Sequence, residues 1–264
     1  VRELKVVIKI GGSVLERLHS AFFKECIQLM EKGITPVIVH GGGPMISARM
    51  DQAGIEPQFV DGLRVTDQQT LEIVEMVLAG SVNKRLVTQF RLAGAQAIGL
   101  TGIDLGLIEA TPAEAKLGYV GHVVSINSKV IETLLDQGWI PVIASLGVDS
   151  KGQHYNINAD DVASAIADAL SAKKLISVSN VDGIEINGKP LKQATEEEVI
   201  GYIQSGEITG GMIPKVRSGL RSLTGSVEEV IIVNGSSSGC LTDSSHGTRL
   251  IKGEVKDHVF ISQL

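Results

Sequence analysis

Lys9 stands inside an apolar run, "VVIKIGG", directly ahead of Gly11 and Gly12. A lysine in such a run is rarely buried without a partner. The bare glycine backbone beside it exposes N–H groups that an anion can approach closely. A related arrangement occurs at "VIVHGGGP", residues 37–44, where three consecutive side chains are given up between a strand-like run and a proline. A third glycine pair, in "ITGGMIPKVRSGL" (208–220), precedes Pro214 and Lys215. Proline suits the first turn of a helix, but a cation there opposes the helix dipole by a few tenths of a kcal/mol to ~1 kcal/mol. An anion lodged between that lysine and the helix removes the conflict. A tight turn needing positive φ is the plainer reading of any single glycine. Two clusters that follow consecutive strands favour a site for phosphate or carboxylate.

Acidic and amide side chains gather once, in "NINADDVASAIADAL" (156–170), where Asn156, Asn158, Asp160 and Asp161 surround the start of a helical run. Helix capping accounts for one of them and leaves the others to be explained. Several tempting motifs fail on context. "GIEINGKP" (183–190) matches most of a phosphate-binding loop, but Pro190 occupies the position of the magnesium-binding hydroxyl, and Asn187-Gly188 reads as a hairpin turn. "GSSSG" (235–239) places Ser237 as a nucleophile, yet "CLTDSSHG" is no apolar helix to complete an elbow. The six histidines include no HExxH pair, which argues against a catalytic zinc. No metal ligand is assigned.

These groups need rigid elements to position them. "LKVVIKI" (4–10) and "TPVIV" (35–39) are short, rich in β-branched residues and bounded by glycine, as buried parallel strands are. Leu18, Phe22, Cys26, Leu29 and Met30 recur at helical spacing and predict a helix over 16–32. Further helices are expected over 67–93, 127–137, 159–171, 195–204 and 214–224. Strands are expected at "AQAIGL", "WIPVIA", "LISVS" (175–179) and "EEVIIV" (228–233), and "LGLIEATPAEAKLGYVGHVV" reads as a hairpin with a polar tip. The alternation predicts an α/β fold, a mainly parallel sheet with helices on both faces. Ligands of such sheets bind at the carboxyl ends of the strands, where the glycines fall. No linker or repeat divides the chain, so two lobes on one continuous sheet are expected.

Composition excludes other classes. With 264 residues, 43% of them hydrophobic, and a mean hydropathy of +0.20, the chain can bury a sizeable core. A net charge of −6 and an aromatic content of 3% speak against nucleic acid as a partner. No apolar run reaches the ~20 residues that cross a bilayer, and the first residues lack signal-peptide features. Cys26 and Cys240 form no CxxC pair, and a reduced cytoplasm is the expected compartment.

In order along the chain, "KIGGS", "VIVHGGGP", "DGLRVT", "YNINADDVA", "SVSNVDGI" and "ITGGMIPK" resemble the amino acid kinase family, from about residue 4 to 250. The resemblance implies a three-layer αβα sandwich. It makes residues 1–264 one kinase domain, with an N-lobe (about 1–172) for acyl substrate and dimerisation and a C-lobe (173–264) for nucleotide. It is strongest to the branch that uses ATP to phosphorylate the γ-carboxylate of N-acetyl-L-glutamate in arginine biosynthesis. Members acting on carrier-bound aminoadipate, or on glutamate or aspartate, are the alternative, and "DGLRVT" favours the first.

By this resemblance Lys9 and Lys215 stabilise the transferring phosphoryl group and Asp160 organises the two lysines. Gly42, Gly43, Arg64 and Asn158 would hold the acyl substrate, with Gly11 and Gly12 near the phosphates. Ser179, Asn180, Val181, Asp182, Gly183 and Ile184, with Glu207, Ile208 and Thr209, would line the nucleotide site. Mg2+ would enter through the phosphates of ATP. A carboxylate with an unperturbed pKa of about 4.3 is already ionised at neutral pH, so no general base is required. Arginine-inhibited members typically carry an extra N-terminal helix that builds hexamers. A chain starting almost on its first strand is expected to form a homodimer without arginine feedback. The resemblance assigns no residue role within 234–247, a stretch that runs into a recognisable "GTRL".

Overall fold

Strands Leu4–Ile10 and Ile34–His40 carry almost unbroken apolar sequence because both of their faces are covered. They pair in parallel, and Leu4–Ile10 pairs on its other edge, also in parallel, with Lys174–Ser179. The computed structural model describes residues 4–253 apart from 224 and 244. In it these three strands are the middle of an eight-stranded sheet. Its order is Gln193–Thr195, Thr248–Ile251, Glu229–Asn234, Lys174–Ser179, Leu4–Ile10, Ile34–His40, Ile140–Ala144, Ala97–Thr101. Every pairing is parallel except that of Glu229–Asn234 with Thr248–Ile251.

Each face of the sheet carries its own apolar layer. Phe22, Cys26 and Leu29 of helix Ala21–Glu31, with Val74 and Phe90, pack on the face presenting Ile8, Ile10 and Ile38. Val162 and Ile166 of helix Ala159–Ala169, with Ile131 and Val216, pack on the face presenting Val7, Val37 and Val39. This is the three-layer αβα arrangement that was expected. Side chains alternate across a strand. Lys9 therefore shares the side of Val7 and faces the layer that holds helix Ala159–Ala169.

The hairpin forms from strands Ile108–Pro112 and Gly121–Ile126. It is extended into a four-stranded sheet by Leu146–Val148 and His154–Asn156, which at three residues each carry no readable period. Asn187 and Gly188, with φ of 52° and 72°, make the hairpin turn between Ile184–Ile186 and Lys189–Leu191. One expectation needs correction and another refinement. Residues 11–20 form turns and the helix begins only at Ala21, so "KIGGS" does not open a helix directly. The stretch 67–93 is helical but not uniformly α: Met76–Val82 is a π-helical segment between Gln68–Glu75 and Asn83–Ala93. Its wider turns set Leu78 and Val82 against Gly42. Among the described residues no helix is long and apolar enough to cross a membrane.

Candidate active site

The neighbours of strand Leu4–Ile10 depart on opposite sides of it, and ligands of α/β sheets bind at such a switch point. Gly11, Gly41 and Asn180 each follow the carboxyl end of one of the three strands. Gly11, Gly12, Gly41, Gly42 and Gly43 all lack positive φ, so the tight-turn reading does not account for them. Close approach does. A Cβ on Gly12 would lie 2.8 Å from the Gly43 nitrogen and 2.9 Å from Pro44 Cδ, and one on Gly42 would lie 2.7 Å from Leu78 Cδ2. The two glycine loops therefore touch backbone to backbone. Gly43 alone faces open space, at the start of helix Gly43–Gln52, where first-turn N–H groups favour an anion.

Lys9 Nζ meets Asp160 Oδ1 at 2.7 Å, with only about a tenth of the lysine side chain exposed. Asp160 sits in the first turn of helix Ala159–Ala169, where a carboxylate complements the dipole. Asn158 is that helix's N-cap, its Oδ1 accepting from the Asp160 N–H at 2.8 Å. Capping thus uses the oxygen of Asn158, while the residue also lines the cavity below. Lys215, in helix Met212–Ser222, donates to Asn180 Oδ1 at 2.7 Å. Burial, and then the charge of Lys9, lower its pKa. Two ammonium groups from opposite ends of the chain thus share one electrostatic environment, and the Asp160 carboxylate lines the same cavity.

Two cavities meet there. One of about 220 Å³ is lined by the glycines of both loops, Arg64, Asn156 and Asn158. The second, also about 220 Å³, is lined by Ser177, Ser179, Lys215 and Ser218. Lys9, Gly11 and Asp160 line both. A group bound in one cavity can be handed to the other across these three residues.

Arg64 is buried, and its ring-facing side lies 4.7 Å from the Phe59 centroid. The expected free fork is partly engaged: Nη2 donates to Gly43 O at 3.0 Å and Ser47 Oγ at 2.8 Å, and Nη1 to Met50 Sδ. The guanidinium therefore braces the glycine loop as well as lining the cavity.

Of the nucleotide candidates, Ser179 lines the second cavity and Asn180 holds Lys215. Asp182 accepts from Asn234 at 2.9 Å, and Glu207 accepts from Asn187, which ties residues 207–209 to the hairpin after Ile184. Gly183 has φ of 131° and packs against Thr248. Val181 N–H bonds Ser179 Oγ. Ile184 and Ile208 are core side chains, 1% and 2% exposed, with their N–H groups donated to Thr248 Oγ1 and Tyr202 O.

His40, fully buried at the end of its strand, supports the triple glycine from behind. Its Nδ1–H donates to Gly41 O at 3.0 Å, and Nε2 accepts from Asn83 Nδ2 at 3.1 Å. Burial lowers its pKa to about 4, so the ring is neutral at physiological pH. Residues 235–243 form turns without a following helix, which removes the serine-nucleophile reading of Ser237. That loop is fixed instead by buried Glu25, whose carboxylate accepts the Gly239 N–H at 2.7 Å and the Leu241 N–H at 2.8 Å. Sequence reasoning missed Ser145, Ser177 and Ser218 as cavity residues. A polar residue closing the apolar strand "IPVIAS" was a signal for the first. Ser177 depended on its register opposite Lys9.

The profile of the Amino acid kinase family matches residues 5–234. The chain is 47% identical over 248 residues to acetylglutamate kinase of Geobacillus kaustophilus (strain HTA426), covering 94% of this chain and 96% of that one. Among solved structures, smu.665 from Streptococcus mutans UA159 superposes with a TM-score of 0.82 at 36% identity, covering 94% of this chain and 98% of that one. N-acetylglutamate synthase from Neisseria gonorrhoeae, complexed with coenzyme A and N-acetyl-glutamate, shares the fold. Its TM-score is 0.80 at 22% identity, over 96% of this chain and 61% of that one.

Proposed function

This chain belongs to the amino acid kinase family, and from that premise we propose that it transfers the γ-phosphoryl group of ATP to the γ-carboxylate of N-acetyl-L-glutamate. The products are ADP and N-acetyl-L-glutamyl 5-phosphate, an intermediate of arginine biosynthesis. The observation that carries the reading is the sharing of Lys9, Gly11 and Asp160 by two cavities. Acyl substrate is assigned to the cavity of Arg64, Asn158, Gly42 and Gly43, and the ATP phosphates to that of Lys215 and Ser179. In lobe terms, residues 1–172 hold the acid and 173–264 the nucleotide.

The chemistry follows from charge. A carboxylate oxygen of the acid forms a bond to the γ-phosphorus as the bond from phosphorus to the bridging oxygen of ADP breaks. No proton need leave the nucleophile, and no histidine is recruited. The obstacle is the approach of one anion to another, so catalysis consists of positioning and charge stabilisation. Lys9 and Lys215 face the migrating group from its two sides. Asp160 directs Lys9 and offsets the repulsion between the ammonium groups, and the N–H groups at Gly12 and Gly43 add fixed dipoles, that of Gly11 being held by Val178 O. Magnesium takes oxygen ligands and is commonly held through substrate phosphates, where it would neutralise phosphate charge. Among the described residues Asp160 is the one carboxylate that lines the second cavity, and it is paired with Lys9.

A homodimer is supported by the exposed Met76 and Leu92 on helical segments that contact Ala97–Thr101, the terminal strand of the sheet among the described residues. Buried, free Cys26 and Cys240 suit the reducing cytoplasm. Trapping the acyl phosphate with hydroxylamine tests the central reading. N-acetyl-L-glutamate should give an ATP-dependent hydroxamate far faster than glutamate, aspartate or carrier-bound aminoadipate. Preference for one of the other acids would overturn the substrate assignment.

A further inference from the structure

Ser218 lies one helical turn beyond Lys215 and lines the same cleft as Lys9, Asp160 and Lys215. Its Oγ is buried and makes no hydrogen bond, the one hydroxyl in that condition among the described residues. A serine within a helix ordinarily settles its hydroxyl on the carbonyl four residues earlier. Two neighbours do so: Ser222 Oγ donates to Ser218 O at 3.0 Å, and Ser164 Oγ donates to Asp160 O at 2.8 Å. Ser218 does not take that option. An unpaired buried hydroxyl is costly, and a fold that keeps one needs a reason.

The surroundings supply the reason. The cleft wall carries two ammonium groups, whose complement is an anion rich in acceptor oxygens. A hydroxyl beside them has a donor to offer and no acceptor claiming it. Rotation about χ1 between staggered wells swings a serine hydroxyl from wall to lumen. Resting on the phosphoryl-transfer reading above, we propose that Ser218 is a further catalytic residue, donating a hydrogen bond to a non-bridging oxygen of the phosphoryl group that passes between Lys9 and Lys215. The contact strengthens as charge shifts onto those oxygens. No covalent bond to Ser218 forms.

The test uses the full chain with Ser218→Ala and the conservative Ser218→Thr. Removing an orphaned hydroxyl should leave the melting temperature without nucleotide equal to or above that of the wild type. The upward shift produced by Mg-ATP should shrink, and kcat should fall by ~10–100-fold, the range for a hydrogen bond to a charged group. KM for the acyl substrate should stay within about two-fold, and Ser218→Thr should recover most of the rate. If Ser218→Ala keeps kcat and the ATP-induced shift within two-fold, or simply melts lower with that shift intact, the proposal is wrong. The ATP-induced shift needs no acyl substrate. Absence of hydroxamate in the wild type would therefore sink the substrate reading while still leaving Ser218 tested.

Discussion

Lys9 Nζ and Asp160 Oδ1 form an ion pair of 2.7 Å at the point where the two cavities of the site join. One comes from the central strand and the other from the first turn of a helix in the layer above it. Lys9→Met should lower kcat by roughly 10²–10³-fold, the effect of losing one preorganised charge-stabilising donor. KM for either substrate should change far less. A variant turning over within two-fold of the wild type would remove Lys9 from the mechanism.

The pH dependence should carry the mark of Lys215. Burial and Lys9 hold its pKa below the ordinary 10.5. The protonated form is the useful one, so kcat/KM should fall on the alkaline side through a pKa lower than 10.5. Bound ATP places negative charge beside the ammonium and should move the kcat limb upward. The sign for stability is the reverse of the usual paired lysine. Between the lowered folded pKa and the unfolded value the unfolded chain binds more protons, so this group's contribution to stability rises with pH across that window. Lys215→Arg should abolish the alkaline limb, and profiles of both proteins would show it.

Glycines 12 and 43 should respond differently to alanine. Gly12→Ala drives a Cβ into the backbone of Gly43 and the ring of Pro44, both under 3.0 Å, so stability and activity should fall together. Gly43→Ala meets nothing within 4 Å and should fold normally while hindering the approach of the anion. Melting curves beside steady-state rates separate the two. A Gly43→Ala protein with unaltered KM for the acid would count against anion binding at that loop.

Arg64 both braces Gly43 and lines the acyl cavity. Arg64→Lys keeps the charge and loses the fork that grips Gly43 and Ser47, so KM for the acid should rise by about 10–100-fold, the range for one lost charge-assisted hydrogen bond. KM for ATP should stay near its wild-type value. An equal loss of ATP binding would contradict the assignment.

Acid should weaken the support behind the triple glycine. His40 has its pKa lowered from 6.5 to about 4, so between those values the unfolded chain binds the proton and the folded one does not. Stability from this group is therefore present above pH 6.5 and is lost as pH falls toward 4, by about 3 kcal/mol in all. The added Nε2 proton would confront the Asn83 amide that now donates to it. His40→Gln retains a donor and an acceptor without the titration. Its denaturant midpoint should fall less than that of the wild type between pH 7 and 4.

Much of this was legible from local sequence. The β-branched runs that end in glycine became neighbouring parallel strands, Asn187-Gly188 became a hairpin turn, and Lys9, Asp160 and Lys215 converge on one cleft. Each rests on a preference held within a few residues: bare backbone at a strand end, a cap at a helix start, a proline in a first turn. The three-residue strands Leu146–Val148 and His154–Asn156 were not legible, because their conformation is imposed by the partners they pair with. The same holds for the π-helical segment pressed against Gly42.

What sequence alone determined was the inventory: which residues carry charge, which lack side chains, and which stretches must lie in a sheet. Tertiary structure decided how these groups are used. It neutralised His40 by burial, engaged the fork of Arg64 with Gly43 and Ser47, bound the Gly239 loop to Glu25, and left Ser218 without a partner. The physical reason is that solvation and hydrogen-bond satisfaction depend on atoms far apart along the chain, and only packing brings those atoms within reach.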